Sequence, residues 1–254
     1  MMLTYGAAPY SESGKIGKKT SDIAVIGMPS DLGATTRSGQ SSGPQHVRFY
    51  SEPLEGLSLV DAGNVVPDSR DNSSYLSDVG WHVGGIGNNT RLLIGLGGDD
   101  SVTHGFVMGL LDIYEMVGVV HYDAHPDMYG YGSGIDHSNW VQYSHDLGVP
   151  IRQWGCRADS AVESLNDNTR GLPLLLAIDM DVFDPAFAPG VACPHPFGLN
   201  PHEVMSDIFN ITSNNKIVGI SITEIVDNRD INGHTALLAN HLLAKICKLV
   251  LARQ

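Results

Sequence analysis

The chain has 254 residues, of which 42% are hydrophobic and 17% charged, with 29 glycines and 13 prolines. This composition is typical of a folded globular protein and excludes coiled-coil, collagen-like and disordered chains. Asp and Glu total 28 against 15 Lys and Arg, which gives a formal charge of -13. A field of this sign repels polyanions, so we expect neither a nucleic-acid partner nor a membrane partner.

Cysteine usage and the N-terminus indicate the compartment. The three cysteines, Cys156, Cys193 and Cys247, are too few and too widely spaced for a disulfide framework or a structural zinc site. Residues 1–21 are polar and lack the apolar core of a signal peptide, and no run approaches about 18 apolar residues. We therefore expect a cytoplasmic protein with a flexible tail at 1–21 and a single domain at 22–254.

Short apolar runs alternate along the chain with longer helical patterns. The predicted strands are Asp22–Met28, Leu92–Leu96, Gly118–Asp123, Ile151–Gly155, Leu174–Asp179 and Ile217–Thr223. The predicted helices are Pro44–Tyr50, Ser73–Ile86, Ser101–Glu115, Ala158–Leu165, Pro201–Ile211 and Gly233–Ala252. Several strands are nearly continuous in Val, Ile and Leu, as expected for burial on both faces of a parallel sheet. The alternation predicts a three-layer α/β/α fold with a mostly parallel central sheet.

Three predicted strands end in acidic clusters. These are Asp99 and Asp100, then Asp123, His125 and Asp127, and then Asp179 and Asp181. Ligands of open α/β sheets bind beyond the carboxyl ends of the strands. Crowded carboxylates raise one another's pKa values unless cations neutralise them. A pair of divalent ions is the simplest solution, and oxygen ligands with one or two imidazoles suit Mn²⁺, Mg²⁺ or Fe²⁺.

The same three segments resemble the signatures of the ureohydrolases, the superfamily of arginases and agmatinases. They are Gly97–Ser101, Asp123–Asp127 and Asp179–Gly190. Further similarity to agmatinases occurs at Gly27–Ala34 with Arg37, Gly39, Gly43 and Pro44, at Gly155–Arg157, and at Ile220–Glu224. The match covers residues 22 to 252 in order. It implies an arginase-type domain that forms a homo-oligomer, a trimer or hexamer, with two Mn²⁺ ions per chain.

The resemblance also implies the roles of individual metal ligands. Asp123 and Asp179 match the carboxylates that bridge the two ions. Asp127 matches a ligand of one ion, and His125 and Asp181 match ligands of the other.

Asp100 occupies the remaining ligand position, where the family has a histidine. Aspartate is a hard ligand, but it is shorter than an imidazole side chain and adds a negative charge. Metal occupancy and metal identity at this position therefore depend on a residue that departs from the family pattern. His104 lies one helical turn later and would be a substitute ligand, although we expect it to serve packing.

Two divalent ions lower the pKa of water and so make it a nucleophile at neutral pH. A guanidinium carbon is a poor electrophile, because its charge is spread over three nitrogens. The implied reaction is the hydrolysis of a small guanidino compound to urea and an amine. By resemblance, Asp123, Glu224 and His137 carry the catalysis: Glu224 accepts hydrogen bonds from the guanidinium and His137 transfers a proton to the leaving amine. We expect His121 to serve packing or to support the ligands.

Loop features bear on the substrate. The spacing from Asp127 to His137 resembles agmatinases and guanidinobutyrases more than arginases. Ala158 stands where arginases have an acid that contacts the substrate α-amino group, although Asp159 is adjacent. We therefore expect agmatine or another guanidino compound without an amino-acid head. The residues expected to line the pocket are Asn139, Trp140 and Tyr129.

Other hypotheses stay open at this point. Asp100 is compatible with a non-catalytic or mononuclear descendant that binds a guanidino ligand, regulates a partner or only assembles. A hydrolase of another C–N substrate, such as guanidinobutyrate, a formimino or hydroxyguanidino compound, or arginine, is a second. A hydrolase like the histone deacetylases is disfavoured, because that related fold uses one zinc whereas the full set of aspartates favours two metals.

Overall fold

The computed structural model describes residues 21–51, 56–66, 71–130, 132, 134–158 and 164–253. The strands of this part of the chain are β1 (Ser21–Met28), β2 (Leu59–Asn64), β3 (Thr90–Gly97), β4 (Gly118–Tyr122), β5 (Ile151–Trp154), β6 (Leu174–Asp179) and β7 (Ile217–Thr223). The α-helices are α1 (Gly43–Phe49), α2 (Asn72–Gly87), α3 (Val102–Leu111), α4 (Trp140–Asp146), α5 (Pro201–Ile211) and α6 (His234–Arg253).

All seven strands join one sheet in the order β2-β1-β3-β7-β6-β4-β5, and every pair is parallel. Alternate residues of each buried strand face opposite sides: Ile23 and Val25 enter one hydrophobic core, and Ala24 and Ile26 enter the other. Helices α1, α5 and α6 complete the first core, and α2, α3 and α4 complete the second. Helices thus cover both faces, which confirms the predicted three-layer α/β/α fold.

The six predicted strands are confirmed to within two residues, but the edge strand β2 was not predicted. Among the described strands it pairs only with β1; it is largely half-buried and contains Asp61 and Asn64, which have low strand propensity. Helix α4 was also not predicted. It has only seven residues, and Asn139 before it makes no side-chain capping bond, so the usual helix-start signal is missing.

Two predicted helices differ from the structure. Helix α3 ends at Leu111, four residues before the predicted end at Glu115. The prediction of a helix at Ala158–Leu165 is not supported at its described ends, because Ala158 and residues 164–165 are not helical, and residues 159–163 lie outside the described residues. Ser21 belongs to β1 rather than to the predicted tail, and the rest of that tail also lies outside them.

Helix α6 is the longest element of the described chain. Together with the turn before it, Ile231–Arg253 is the one described segment whose length and composition would allow it to cross a membrane. However, half of its apolar window is buried inside the protein, and Leu242 and Ile246 lie in the first core. These contacts are those of a core helix.

The four central strands bring their carboxyl ends to one edge of the sheet. Tyr122 of β4 pairs with Ile178 of β6, which pairs with Ile222 of β7, which in turn pairs with Leu96 of β3. The residues that follow this row therefore lie side by side. The acidic clusters predicted to meet are placed on these adjacent strand ends by the topology itself.

Helices α2 and α3 pack closely because glycines face the contact. A Cβ added at Gly109 of α3 would lie 2.5 Å from the carbonyl oxygen of Gly80 and 2.5 Å from Cβ of Val83, both on α2. The first of these atoms belongs to the backbone and the second is the Cβ of a β-branched side chain. Neither atom can move away by rotation of a side chain. The helices must separate if a side chain is added here.

We expect Gly109→Ala to lower the free energy of unfolding by about 1–3 kcal/mol, because the added methyl overpacks this contact. At a chain of this size that corresponds to a loss in Tm of roughly 2–4 °C per kcal/mol. Gly84→Ala on α2 is the matched control, since its nearest obstacle, at 3.2 Å, is the terminal Oδ2 of Asp112. Thermal unfolding that showed equal losses in the two variants would refute the close-packing argument.

Candidate metal centre

Buried acidic side chains collect where β3, β4, β6 and β7 end. The described residues include two groups of possible metal ligands, and within each group the ligand atoms all lie within 4.8 Å of one another. The first is Asp100, His121, Asp123 and Asp127, and the second is Asp123, His125 and Asp181. Asp123 belongs to both groups, so it is placed to bridge two cations. Five of the six ligands expected from the resemblance are thus brought together, and His121 joins them.

Asp179 ends β6 beside these groups but belongs to neither. Its Oδ1 accepts a hydrogen bond of 2.7 Å from the backbone N–H of Asp181, and its side chain lines the adjoining cavity. The structure therefore places Asp179 at the site, while its bridging role remains a prediction.

The buried carboxylates destabilise one another's charged forms. Burial, followed by repulsion from Asp123, raises the pKa of Asp127 well above its usual range. Burial and the neighbouring Asp181 do the same for Asp179. Burial and repulsion from Asp123 raise the pKa of Asp181 to about 7. A cation among these groups would remove the repulsion and stabilise the ionised forms.

Two buried atoms in the first group have no hydrogen-bond partner. Nε2 of His121 and Oδ2 of Asp123 lie 2.9 Å apart, but the ring N–H and the oxygen are not aligned as a hydrogen bond requires. A buried carboxylate oxygen without a partner, such as Oδ2 of Asp123, is uncommon and calls for an unseen ion or water. Aspartate oxygens with one or two imidazoles, from His125 and His121, match the donor preferences of Mn²⁺ and Mg²⁺. The residues present thus fit a centre for divalent cations.

Backbone strain is found at two acids of the site. Asp127 has φ 48° and Glu224 has φ 66°, and they are two of the four described non-glycine residues with positive φ. This conformation is sparsely populated, and it persists only where surrounding contacts enforce it. At Glu224, the backbone N–H donates to the carbonyl of Gly98, and the carbonyl accepts from Ala192. These bonds hold the turn that directs Glu224 into the site.

Asp100 is buried, and both of its carboxylate oxygens accept hydrogen bonds from neighbouring side chains. Its Oδ1 accepts hydrogen bonds from the hydroxyls of Thr103 and Thr223, and its Oδ2 accepts one of 2.6 Å from the indole N–H of Trp140. His104, the other candidate for this position, faces away. Its Nδ1 lies 2.8 Å from Oγ of Ser144, and burial lowers its pKa to about 4, as expected for a packing residue.

Glu224 and His137 form a second polar unit beside the acids. Oε1 of Glu224 accepts from the backbone N–H of Asp100 at 2.9 Å, and Oε2 accepts from Nε2 of Gln40 at 3.0 Å. Nδ1 of His137 lies 3.7 Å from Oε1, and its Nε2 lies 2.8 Å from the hydroxyl of Thr35. Burial alone would lower the pKa of His137, but the nearby Glu224 carboxylate raises it above its usual value.

A cavity of about 210 Å³ opens onto both units. Its floor carries Asp127, Asp179, Asp181, His125 and Glu224, and its walls include Thr35, Thr36, Tyr129, His137, Ser138 and Cys193. Of the three side chains expected to line it, only Tyr129 does so among these residues. Trp140 and Asn139 are buried behind the wall, because α4 begins there and turns the indole toward Asp100 and Asp127.

Several residues of the site carried no recognisable signal in the sequence. Gln40, Thr35 and Cys193 reach the cavity region from loops distant in sequence from the acidic clusters. His121, which we expect to serve packing or to support the ligands, has its Nε2 at 2.9 Å from Oδ2 of Asp123 and 3.4 Å from Oδ2 of Asp100. Because side chains alternate along a strand, His121 lies on the same side as Asp123, two residues later. This spacing is the sequence signal that indicates its position in the site.

Comparisons with known proteins agree with this geometry. The family model described as "Arginase family" matches residues 21–170 and 151–248. The chain therefore belongs to the arginase family, and with its relatives it is an amidinohydrolase. This confirms the resemblance identified from the three acidic segments.

Three relatives illustrate the similarity. The mitochondrial agmatinase of Gallus gallus is 29% identical and covers 90% of this chain and 81% of its own length. An agmatinase of Neisseria meningitidis serogroup C is 25% identical, with coverages of 85% and 83%. The structure of proclavaminate amidinohydrolase from Streptomyces clavuligerus superposes with a TM-score of 0.83. The two sequences are 26% identical, and the match covers 92% of this chain and 93% of the other.

Without divalent cations, we expect the stability of the protein to fall between about pH 6 and pH 8. The pKa of Asp181 is about 7 in the folded chain and near 3.9 when unfolded, so the folded state binds more protons in this window. Stability is lost as those protons leave, by about 1.4 kcal/mol for one such group. Thermal unfolding in chelator at the two pH values measures the fall.

Asp181→Asn should reduce this fall, because it removes the titrating carboxyl. Asp184→Asn is the matched control, since Asp184 follows on the same segment and its pKa is lowered, chiefly by the backbone N–H of Ala186. Saturating Mn²⁺ should also abolish the fall. Equal stability of the chelated wild-type protein at both pH values would contradict the assigned acid repulsion.

Proposed function

We propose that the protein is a binuclear Mn²⁺-dependent hydrolase that converts agmatine, or a similar linear guanidino compound, to urea and an amine. The observation that supports this most directly is the sharing of Asp123 between two groups of ligand atoms at the floor of one cavity. One group surrounds Asp127 and the other surrounds His125 and Asp181. The agmatinases and the proclavaminate amidinohydrolase among the relatives are named for reactions of this kind.

The cavity favours a small cationic substrate. Its volume of about 210 Å³ is below the roughly 300–1,000 Å³ typical of sites for drug-sized ligands. The described residues that line it include four acids and neither Lys nor Arg. A substrate carboxylate, as in guanidinobutyrate or arginine, would thus lie beside these four acids without a Lys or Arg partner among the described residues. A guanidinium with an apolar or cationic tail matches this lining better.

Glu224 is placed to orient the guanidinium. Hydrogen bonds from Asp100 and Gln40 fix both carboxylate oxygens, so the side chain does not have to reorganise when the substrate arrives. Its buried charge attracts a cation strongly, because water does not screen it. The Mn²⁺ ions, when bound, lower the pKa of the water that reacts with the guanidinium carbon.

His137 is placed to move the proton that the reaction releases. Its ring lies between Glu224 and the hydroxyl of Thr35 at the cavity wall. The raised pKa increases the protonated fraction near neutral pH, and a protonated ring can donate to the leaving amine. The substrate nitrogen then departs as a neutral or protonated amine instead of an unstable anion.

A second candidate function is a mononuclear or non-catalytic protein. It is favoured only by Asp100, whose oxygens accept three hydrogen bonds and which replaces the histidine expected from the resemblance. Metal analysis separates the two candidates: close to two ions per chain supports the hydrolase, and one or none supports the second candidate.

The test is urea release by the Mn²⁺-loaded protein from agmatine, guanidinobutyrate, guanidinopropionate, arginine and guanidine. We expect agmatine or a related cationic compound to be the best substrate, and Glu224→Gln to lower its kcat/KM by about 100-fold or more, because a buried charge pair is lost. Glu203→Gln is the control, since Glu203 only closes the capping box of α5. Absence of urea from every compound at full metal occupancy would refute the proposal.

A further inference from the structure

The surroundings of Asp100 show how this chain accommodates a carboxylate at the position of the expected histidine. Its Oδ1 accepts two hydroxyl hydrogen bonds, from Thr103 at 3.0 Å and from Thr223 at 2.5 Å. Thr103 is in turn 3.1 Å from the hydroxyl of Ser221 on β7. A carboxylate oxygen has two lone pairs in its plane, so Oδ1 has no capacity left for a cation.

The second oxygen of Asp100, Oδ2, uses only one of its two lone pairs for a hydrogen bond with the described residues. Oδ2 accepts one hydrogen bond, from Nε1 of Trp140 at 2.6 Å, and lies 3.4 Å from Nε2 of His121, another member of the first group. The same indole N–H reaches Oδ2 of Asp127 at 3.1 Å. Trp140 therefore fixes two of the carboxylates relative to each other, and one lone pair of Oδ2 of Asp100 is left without a hydrogen bond from the described residues.

His121 is the competing ligand at this position, but its hydrogen bonds oppose coordination. Nε2 of Gln153 donates to the carbonyl of Pro126 at 2.8 Å and lies 3.0 Å from Nδ1 of His121. Oε1 of the same amide accepts the backbone N–H of Leu165 at 2.8 Å, which excludes the flipped orientation. An amide nitrogen only donates, so Nδ1 of His121 accepts.

This bond assigns the tautomer of His121. A neutral imidazole that accepts at Nδ1 carries its proton on Nε2. Nε2 is the atom that faces Asp100 at 3.4 Å and Asp123 at 2.9 Å. It presents a proton to the carboxylates, whereas a metal ligand must present a lone pair.

We propose that Asp100, held by Thr103, Thr223 and Trp140, binds one metal ion through Oδ2 alone, and that His121 carries its proton on Nε2 and is not a ligand. This rests on the proposed metal centre. It makes the first position a site of oxygen ligands, from Asp100, Asp123 and Asp127, while the second keeps the imidazole of His125. Asp100 is then the residue that makes the first position selective for hard cations.

Pulsed electron paramagnetic resonance of bound Mn²⁺ tests the ligand assignment, because it detects directly coordinated imidazole nitrogen. We expect one such nitrogen in the wild-type protein, one in His121→Asn, and two in Asp100→His. Asn is chosen at 121 because its amide oxygen can still accept from Gln153. Loss of a coordinated nitrogen in His121→Asn would overturn the proposal.

Calorimetric titration of the metal-free full chain tests the selectivity. Asp100→His should raise the affinity for Ni²⁺ relative to Mn²⁺ by at least about 10-fold at one position, since imidazole is a softer donor than carboxylate. Asp100→Asn should lower Mn²⁺ affinity at that position by about 10-fold or more. Unchanged ratios and affinities in both variants would overturn the proposal.

The matched control is Asp207→Asn, another buried aspartate, which instead binds Tyr122 and Arg152. It should leave the nitrogen count and the metal preference unchanged. If the wild-type protein bound no Mn²⁺, the proposed function itself would fail. If it bound two ions but the nitrogen count depended on His121, only the present proposal would fail.

Discussion

Repulsion among carboxylates held out of water is the interaction around which this protein is organised. Asp100, Asp123, Asp127, Asp179 and Asp181 are each 5% exposed or less, and Glu224 adjoins them at 3%. No chain gains stability from such a cluster alone, because each buried charge is costly and each neighbour adds to the cost. The cations of the proposed metal centre would remove this cost, and the buried Oδ2 of Asp123, which has no hydrogen-bond partner among the described residues, supports that proposal.

The fold holds these groups together before any cation arrives. Four adjacent parallel strands end at one edge, and the hydrophobic cores on both faces fix their register. Gly98 allows the chain after β3 to lie against the backbone of Ser30, where a Cβ would be 2.1 Å from its carbonyl oxygen. Asp99 then accepts from the N–H of Gly33 and from Ser101, so that it links two loops. Packing energy thus opposes the separation that electrostatics would favour.

Much of this could be predicted from sequence, because the informative signals are local. Continuous apolar runs identify buried parallel strands, and an acid directly after such a run must lie at the strand end. Strand β2 was not predicted because a half-buried edge strand has no such apolar run. Helix α4 was not predicted because it is short and has no side-chain cap. Thr223, Trp140 and Gln153 are ordinary residues whose importance comes from contacts between segments distant in sequence. Only tertiary structure reveals contacts of that kind.

The most direct test of a cation-completed acid cluster is anomalous X-ray diffraction from crystals grown with Mn²⁺. We expect two anomalous peaks per chain, with Asp123 in contact with both and with Oδ2 of Asp100 in contact with one. Crystals at saturating Mn²⁺ that showed no anomalous peak among these carboxylates would contradict it.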